Sequence, residues 1–259
     1  MTNFNVKAGD RFTLGEHILA CGDCTDVSLV NDLIGKKKIS FILTDPPYGI
    51  AYVEGKEGFR KAKTAHTAIR NDHLQSDGEY RIFTRRWIET AKPFLQRKNA
   101  LYVFNSDRMV FPLRDGMQDA GCHLAQLLVW VKTQAIVGRL DYLPQHELIA
   151  YGWLGVHEFR RSKDKSVIVY PKPSKSVLHP TMKPVGLLRQ LILNSSRIGD
   201  MVYEPFAGSG STLIACEQTK RKCISIELDP HYCGVIIRRF EKLTGIEATK
   251  LPSPAHHGK

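Results

Sequence analysis

The chain has 259 residues, a length that suits one large α/β domain or such a domain with a small insertion. Its 37 lysines and arginines against 26 acidic residues leave a formal charge of +11, and a pI of about 9.4 counts against a small-molecule substrate and suits a polyanion. No apolar run approaches the ~20 residues of a membrane helix, and Met1-Thr2-Asn3-Phe4-Asn5-Val6-Lys7 lacks a signal-peptide core, so no membrane partner and a cytoplasmic location are expected.

Taken in order, Arg11 to Cys21 reads as a hairpin turning at Gly15-Glu16. Asp26 to Ile34 reads as a short helix stopped at Gly35. Ile39 to Thr44 is an apolar strand. Residues 49–78 form a long polar stretch, read as a functional or disordered loop. Glu79 to Arg97 is expected as a helix with Pro93 near its end, Ala100 to Asn105 as a strand, and Arg108 to Ala120 as a helix interrupted by Pro112. Leu124 to Val131 and Glu147 to Trp153 are two strands whose short linker predicts an antiparallel pair. Leu154 to His179 turns polar and basic and is expected to be irregular. Then follow a helix over Val185 to Ile198, a strand over Met201 to Glu204, a helix over Thr212 to Thr219, a strand over Lys222 to Leu228, a helix over Pro230 to Leu243 and a frayed tail from Pro252. Strands alternating with helices predict a mostly parallel sheet with helices on both faces.

Asp45-Pro46-Pro47-Tyr48 closes the strand of residues 39–44, at the sheet edge where open α/β folds place ligands. Prolines fix the backbone and remove its donors. Nearby carbonyls are left to accept hydrogen bonds beside a carboxylate and an aromatic face. Such an arrangement suits the amino group of a flat heterocycle. A second turn, Glu204-Pro205-Phe206-Ala207-Gly208-Ser209-Gly210-Ser211-Thr212, joins a strand to a helix. Nineteen residues after Gly208 stands Glu227, near the end of the next strand, as a ribose-binding carboxylate would. Leu213 replaces the third glycine of a dinucleotide fingerprint, and no lysine follows Gly210 as in a P-loop. A nucleoside cofactor without phosphates, S-adenosylmethionine, fits better. Cys21-Gly22-Asp23-Cys24 has zinc-like spacing but no second pair, and the six cysteines of the chain are expected as reduced thiols with no metal.

Together these segments resemble the β class of amino-group DNA methyltransferases. The resemblance lies in Cys21-Gly22-Asp23-Cys24, Asp45-Pro46-Pro47-Tyr48, His179-Pro180-Thr181-Met182-Lys183-Pro184 and Phe206-Ala207-Gly208-Ser209-Gly210, read in that order. Glu204 stands where the family usually has aspartate, and Met182 where it often has glutamine. The resemblance implies a Rossmann-like S-adenosylmethionine-dependent methyltransferase fold, with a mostly parallel seven-stranded sheet, helices on both faces, and circularly permuted motif order. The whole chain is then one catalytic domain. Catalysis falls to Asp45, Pro46, Pro47 and Tyr48. The cofactor falls to Asp23, Cys24, Asp45, Thr181, Lys183, Glu204, Phe206, Gly208, Ser209, Gly210, Ser211, Thr212 and Glu227. Tyr142, His146 and Glu147 resemble a stretch near the target base.

The activity implied is methyl transfer from S-adenosylmethionine to adenine N6 in double-stranded DNA, with the base flipped out. Aspartate at the head of the tetrapeptide tilts the reading toward adenine over cytosine N4. RNA, a protein amide, a non-catalytic nucleic-acid-binding module and a nicotinamide oxidoreductase are weaker alternatives. Charge and position suggest Arg60, Lys63, Arg160 and Arg161 as DNA contacts, with residues 49–78 as a mobile DNA-contacting loop and residues 133–178 as a target-recognition insertion. DNA binding would associate the protein with the nucleoid. The family pattern is compatible with a homodimer and with a cognate restriction endonuclease.

Overall fold

The computed structural model describes residues 4–49, 75–135, 141–160, 164–172 and 182–252. Arg60, Lys63, Arg161 and Thr181, most of the long polar loop and the end of the tail lie outside the described residues. The hairpin is β1 (Arg11–Leu14) and β2 (His17–Cys21), paired antiparallel across Gly15 at φ 56°. Helix α1 (Val27–Ile34) starts where the Asp26 side chain accepts from Ser28 and Leu29 N–H, and stops at Gly35. Strand β3 (Ile39–Thr44) is buried at every position.

Helix α2 (Asp77–Ala91) opens with a capping box between Ser76 and Glu79. It ends six residues before the expected Arg97. Pro93 has no N–H to continue the ladder, so the chain tightens into a 3-10 turn at Lys92–Phe94 and leaves as β4 (Leu95–Asn105). Pro112 does not interrupt α3 (Val110–Asp119), because it sits in the first turn, where no amide is needed.

Strands β5 (His123–Val131) and β6 (His146–Trp153) pair antiparallel as expected. The polar segment after them is not wholly irregular. It holds β7 (Val156–His157) against β4 and β8 (Val167–Val169) against β5. Then come α4 (Val185–Ser195), β9 (Met201–Glu204), α5 (Ser211–Thr219), β10 (Lys222–Glu227), α6 (Pro230–Thr244) and β11 (Thr249–Leu251). The last strand pairs with β1 and precedes the tail.

The main sheet order is β11-β1-β2-β10-β9-β3-β4-β6-β5-β8, with β7 beside β4. Among the described residues it has eleven strands, where the resemblance implies seven and the elements expected along the chain number eight. The three that the sequence reading lacks, β7, β8 and β11, are two or three residues long, too short to show a period. The centre, β2-β10-β9-β3-β4, is parallel, and β6 enters antiparallel beside β4.

Alternation along β3 serves two cores. Phe41 and Leu43 pack with Leu187, Leu213 and Ile236 of α4, α5 and α6. Ile42 packs with Val30, Trp87 and Leu113 of α1, α2 and α3. Burial of these stripes holds α4, α5 and α6 on one face and α1, α2 and α3 on the other. From β9 the chain moves through α5 to β10 on one side; from β3 it moves through α2 to β4 on the other. Adjacent β9 and β3 therefore form the switch point, and their carboxyl ends open a crevice.

Candidate active site

Both motif turns leave the sheet at that switch point. Thr44, the last residue of β3, donates to Glu204 Oε1 at 2.5 Å, and Thr212 of α5 donates to Oε2 at 2.6 Å. Phe206 N–H adds a third bond at 3.1 Å. Burial pushes the Glu204 carboxyl up to about 8, against the pull of these donors. Glu204, expected to touch a cofactor, ties the two turns together through its carboxyl and also lines the cavity between them.

In the glycine turn Gly208 and Gly210 have φ 53° and 81°, where an L side chain is strained. A Cβ on Gly210 would also lie 3.0 Å from Ile236. Glu227 Oε2 accepts from Gly208 N–H at 2.7 Å and Oε1 from Asp229 N–H at 2.9 Å. Each oxygen keeps a second lone pair for a ligand. Burial lifts this carboxyl to about 7. Phe206 stands edge-on to Trp87, 5.8 Å between centroids, and beside Phe83. On the neighbouring strand end, Gly22 N–H donates to Glu227 O, Asp23 caps its own turn through Thr25, and the Cys24 carbonyl accepts from Thr90.

Across the crevice, Asp45 is 23 % exposed and holds two partners. Tyr48 donates to Oδ1 at 2.8 Å, and Lys183 Nζ meets Oδ2 at 2.5 Å. Lys183 also reaches Glu147 Oε2 at 3.1 Å and the Tyr48 oxygen at 3.3 Å. Its three protons are thereby matched by three acceptors. Lys183, expected as a cofactor contact, holds the head carboxylate and also lines the cavity. Glu147 Oε1 pairs with Lys132 at 2.8 Å. Burial would raise the Glu147 carboxyl, but Lys183 and Lys132 overcome it and hold it down at about 2. Burial would lower the Lys183 ammonium, but Asp45 and Glu147 push it up to about 12. For Asp45 burial prevails and the carboxyl is raised despite Lys183.

The two halves share one cavity of about 630 Å³. Its wall includes the Asp45–Tyr48 tetrapeptide and Lys183, with Asp23, Cys24, Glu204, Phe206, Gly208, Ser209, Ser211, Thr212 and Glu227. Gly210 backs the turn from behind as the N-cap of α5. Tyr142 and His146 stand at the cavity with exposed side chains. Arg160 is not brought there. It pairs with Glu158, and its N–H donates to Asn194 O in the last turn of α4, beside the amino end of β4.

Sequence reasoning missed Lys132, Phe104, Trp130, Asp229 and Tyr232, all in the cavity wall. For Lys132 a signal existed: it continues the i, i+2 face of buried Leu128 and Trp130, where a lysine needs a partner. Among the described residues no cluster of His, Cys, Asp or Glu is arranged to hold a metal ion, and no helix is long and apolar enough to cross a membrane.

Comparison with known proteins agrees with this geometry. The family model described as DNA methylase, of the N6/N4 methyltransferases, matches residues 39–238. The type II methyltransferase M.HpaI of Haemophilus parainfluenzae is 25 % identical over 232 residues, covering 80 % of this chain and 69 % of that protein. Among solved structures, the M1.HpyAVI–SAM complex superposes with a TM-score of 0.63 at 21 % identity, over 85 % of this chain and 98 % of that one. PvuII DNA methyltransferase, titled cytosine-N4-specific, superposes with a TM-score of 0.70 at 17 % identity, over 94 % of each chain. The likeness in structure shows the same fold, and the family match spans both motif turns: this chain belongs to the N6/N4 DNA methylase family.

Proposed function

We propose that the protein transfers a methyl group from S-adenosylmethionine to the N6 amine of adenine in double-stranded DNA. The observation that carries the reading is the meeting of Asp45 and the Gly208–Glu227 turn in one cavity. The residues there fit the donor. Glu227 retains a lone pair on each oxygen for a ribose diol, Phe206 supplies an apolar face, and the turn lacks both phosphate-binding patterns. Asp23 and the Cys24 backbone would border the adenine end. When bound, the donor supplies an electrophilic methyl carbon on a sulfonium.

The chain's own residues supply the rest. The Asp45 carboxylate and the Pro46 carbonyl accept the two N–H bonds of the target amine, which turns its lone pair out of the ring and toward the methyl group. They also stabilise the positive charge that develops on nitrogen. Holding nitrogen and carbon at attack distance removes the entropic part of the barrier. The methylated amine is acidic enough to release its proton to Asp45 and then to water. Flipping the base costs a few kcal/mol, which stacking on Tyr48 offsets. To stack, the Tyr48 ring gives up its bond to Asp45 and frees that oxygen for the amine. Tyr142 and His146 would border the extruded base. Residues 49–78 and 133–178, with Arg60, Lys63 and Arg161, are the proposed phosphate and sequence contacts.

Incubation with tritiated S-adenosylmethionine and unmethylated genomic DNA, followed by nucleoside analysis, tests this. Label in N6-methyladenine supports the reading. Label in N4-methylcytosine keeps the mechanism and replaces the base, and no label in DNA overturns it.

A further inference from the structure

Lys132 follows β5 and belongs to neither motif turn. Its side chain is only 2 % exposed. Burying an ammonium is costly unless it is paired, and its partner is Glu147 Oε1 at 2.8 Å. The backbone fixes the pair: Lys132 N–H donates to Gln145 O at 2.7 Å, and Gln145 Nε2 donates back to Lys132 O at 3.0 Å. The Trp130 ring lies 5.4 Å from the ammonium. The other Glu147 oxygen faces Lys183, which in turn holds Asp45. The row Lys132–Glu147–Lys183–Asp45 therefore alternates in sign and sums to zero.

We propose that Lys132 is a positioning residue for methyl transfer: by neutralising Glu147 it leaves Lys183 to Asp45, and so keeps the head carboxylate ionised for the target amine. The proposal rests on the reading of the chain as an amino-group methyltransferase that uses Asp45 as acceptor. Without Lys132, two carboxylates share one ammonium in a buried site, and like charges so close disfavour ionisation of one of them. Asp45 is the one at risk. Burial already raises its carboxyl, and Glu147 raises it further. Tyr48, whose hydroxyl donates to Asp45, and Glu204 of β9 are the other titratable groups that face it. Neither supplies a cation to replace the one lost.

The test is single-turnover methyl transfer by the full chain to unmethylated duplex DNA, across about pH 5 to 9. It compares Lys132→Met, Lys132→Arg and Glu147→Gln, and donor binding is titrated in parallel. The acid limb should rise by about one pH unit in K132M, stay in place in K132R, and fall in E147Q, where a net positive charge favours the Asp45 anion. A loss of structure alone cannot move one limb in two directions. Limbs that coincide with wild type in folded, donor-binding K132M and E147Q overturn the proposal, as do shifts of the same sign. If K132M does not fold, E147Q and K132R decide by the same signs. Wild type that transfers no methyl group at any pH overturns the functional reading itself, whereas active wild type with unmoved variant limbs overturns only the role of Lys132.

Discussion

Thr44 donates to Glu204 across 2.5 Å, and this single contact joins the end of the strand that carries the tetrapeptide to the end of the strand that carries the glycine turn. Removing the hydroxyl leaves Oε1 of this buried carboxyl with the Phe206 N–H alone, at a cost of about 1–3 kcal/mol. Thr44→Val should lower unfolding free energy in urea by that amount. It should also weaken S-adenosylmethionine binding in calorimetry, because the glycine turn loses its brace. Wild-type values of both would show that the two turns are not coupled through this bond.

Glu204 also sets a pH dependence of stability. Its folded carboxyl titrates at about 8, above the ordinary glutamate value, so the folded chain holds a proton that the unfolded chain has released. Its contribution is fully present below the ordinary value and is lost as pH rises toward about 8. Glu227, raised to about 7, acts in the same sense. Stability should therefore decline from about pH 4.5 to 8, and Glu204→Gln, which cannot ionise, should flatten that decline. Parallel stability–pH curves for the two proteins would contradict the assignment.

Gly210 combines φ 81° with a Cβ position 3.0 Å from Ile236. Gly210→Ala should destabilise the protein by about 1–3 kcal/mol. Pairing it with Ile236→Ala should recover only the steric part, since the backbone strain stays. A thermal-unfolding cycle over the four proteins measures this, and full recovery in the double variant would mean that the strain is absent.

Glu227 is the proposed anchor of the donor's ribose. Glu227→Ala removes the acceptor of both Gly208 and Asp229 N–H. S-adenosylmethionine affinity should fall about 10- to 100-fold, while affinity for duplex DNA and its salt slope stay at wild-type values. An unchanged donor affinity would place the ribose elsewhere.

The motif turns were legible in the sequence because each is local. A strand end, two prolines and an aromatic, or two glycines ahead of a helix, carry their geometry within a few residues. The row from Lys132 to Asp45 was not legible. Its members leave four different elements, and only the sheet order brings them together. The same limit hides the ion pairs of Lys183 with Asp45 and Glu147, since its motif neighbours point only to the donor. Charge marks Arg160 as a candidate contact but does not say at which end of a sheet a loop lies, and Arg160 stands apart from the cavity wall. Helix α2 was read too long because Pro93 can end a helix or sit in its last turn, and here the residues after it pair with β3 as a strand.

In the proposed reaction the Asp45 carboxylate receives the target amine beside the donor pocket. The most direct measurement is methyl transfer to unmethylated duplex DNA by Asp45→Ala, with donor binding titrated on the same preparation. Transfer should fall by about 10²- to 10³-fold or more, while donor affinity changes by less than about tenfold. A variant that binds the donor and labels DNA at the wild-type rate would contradict it.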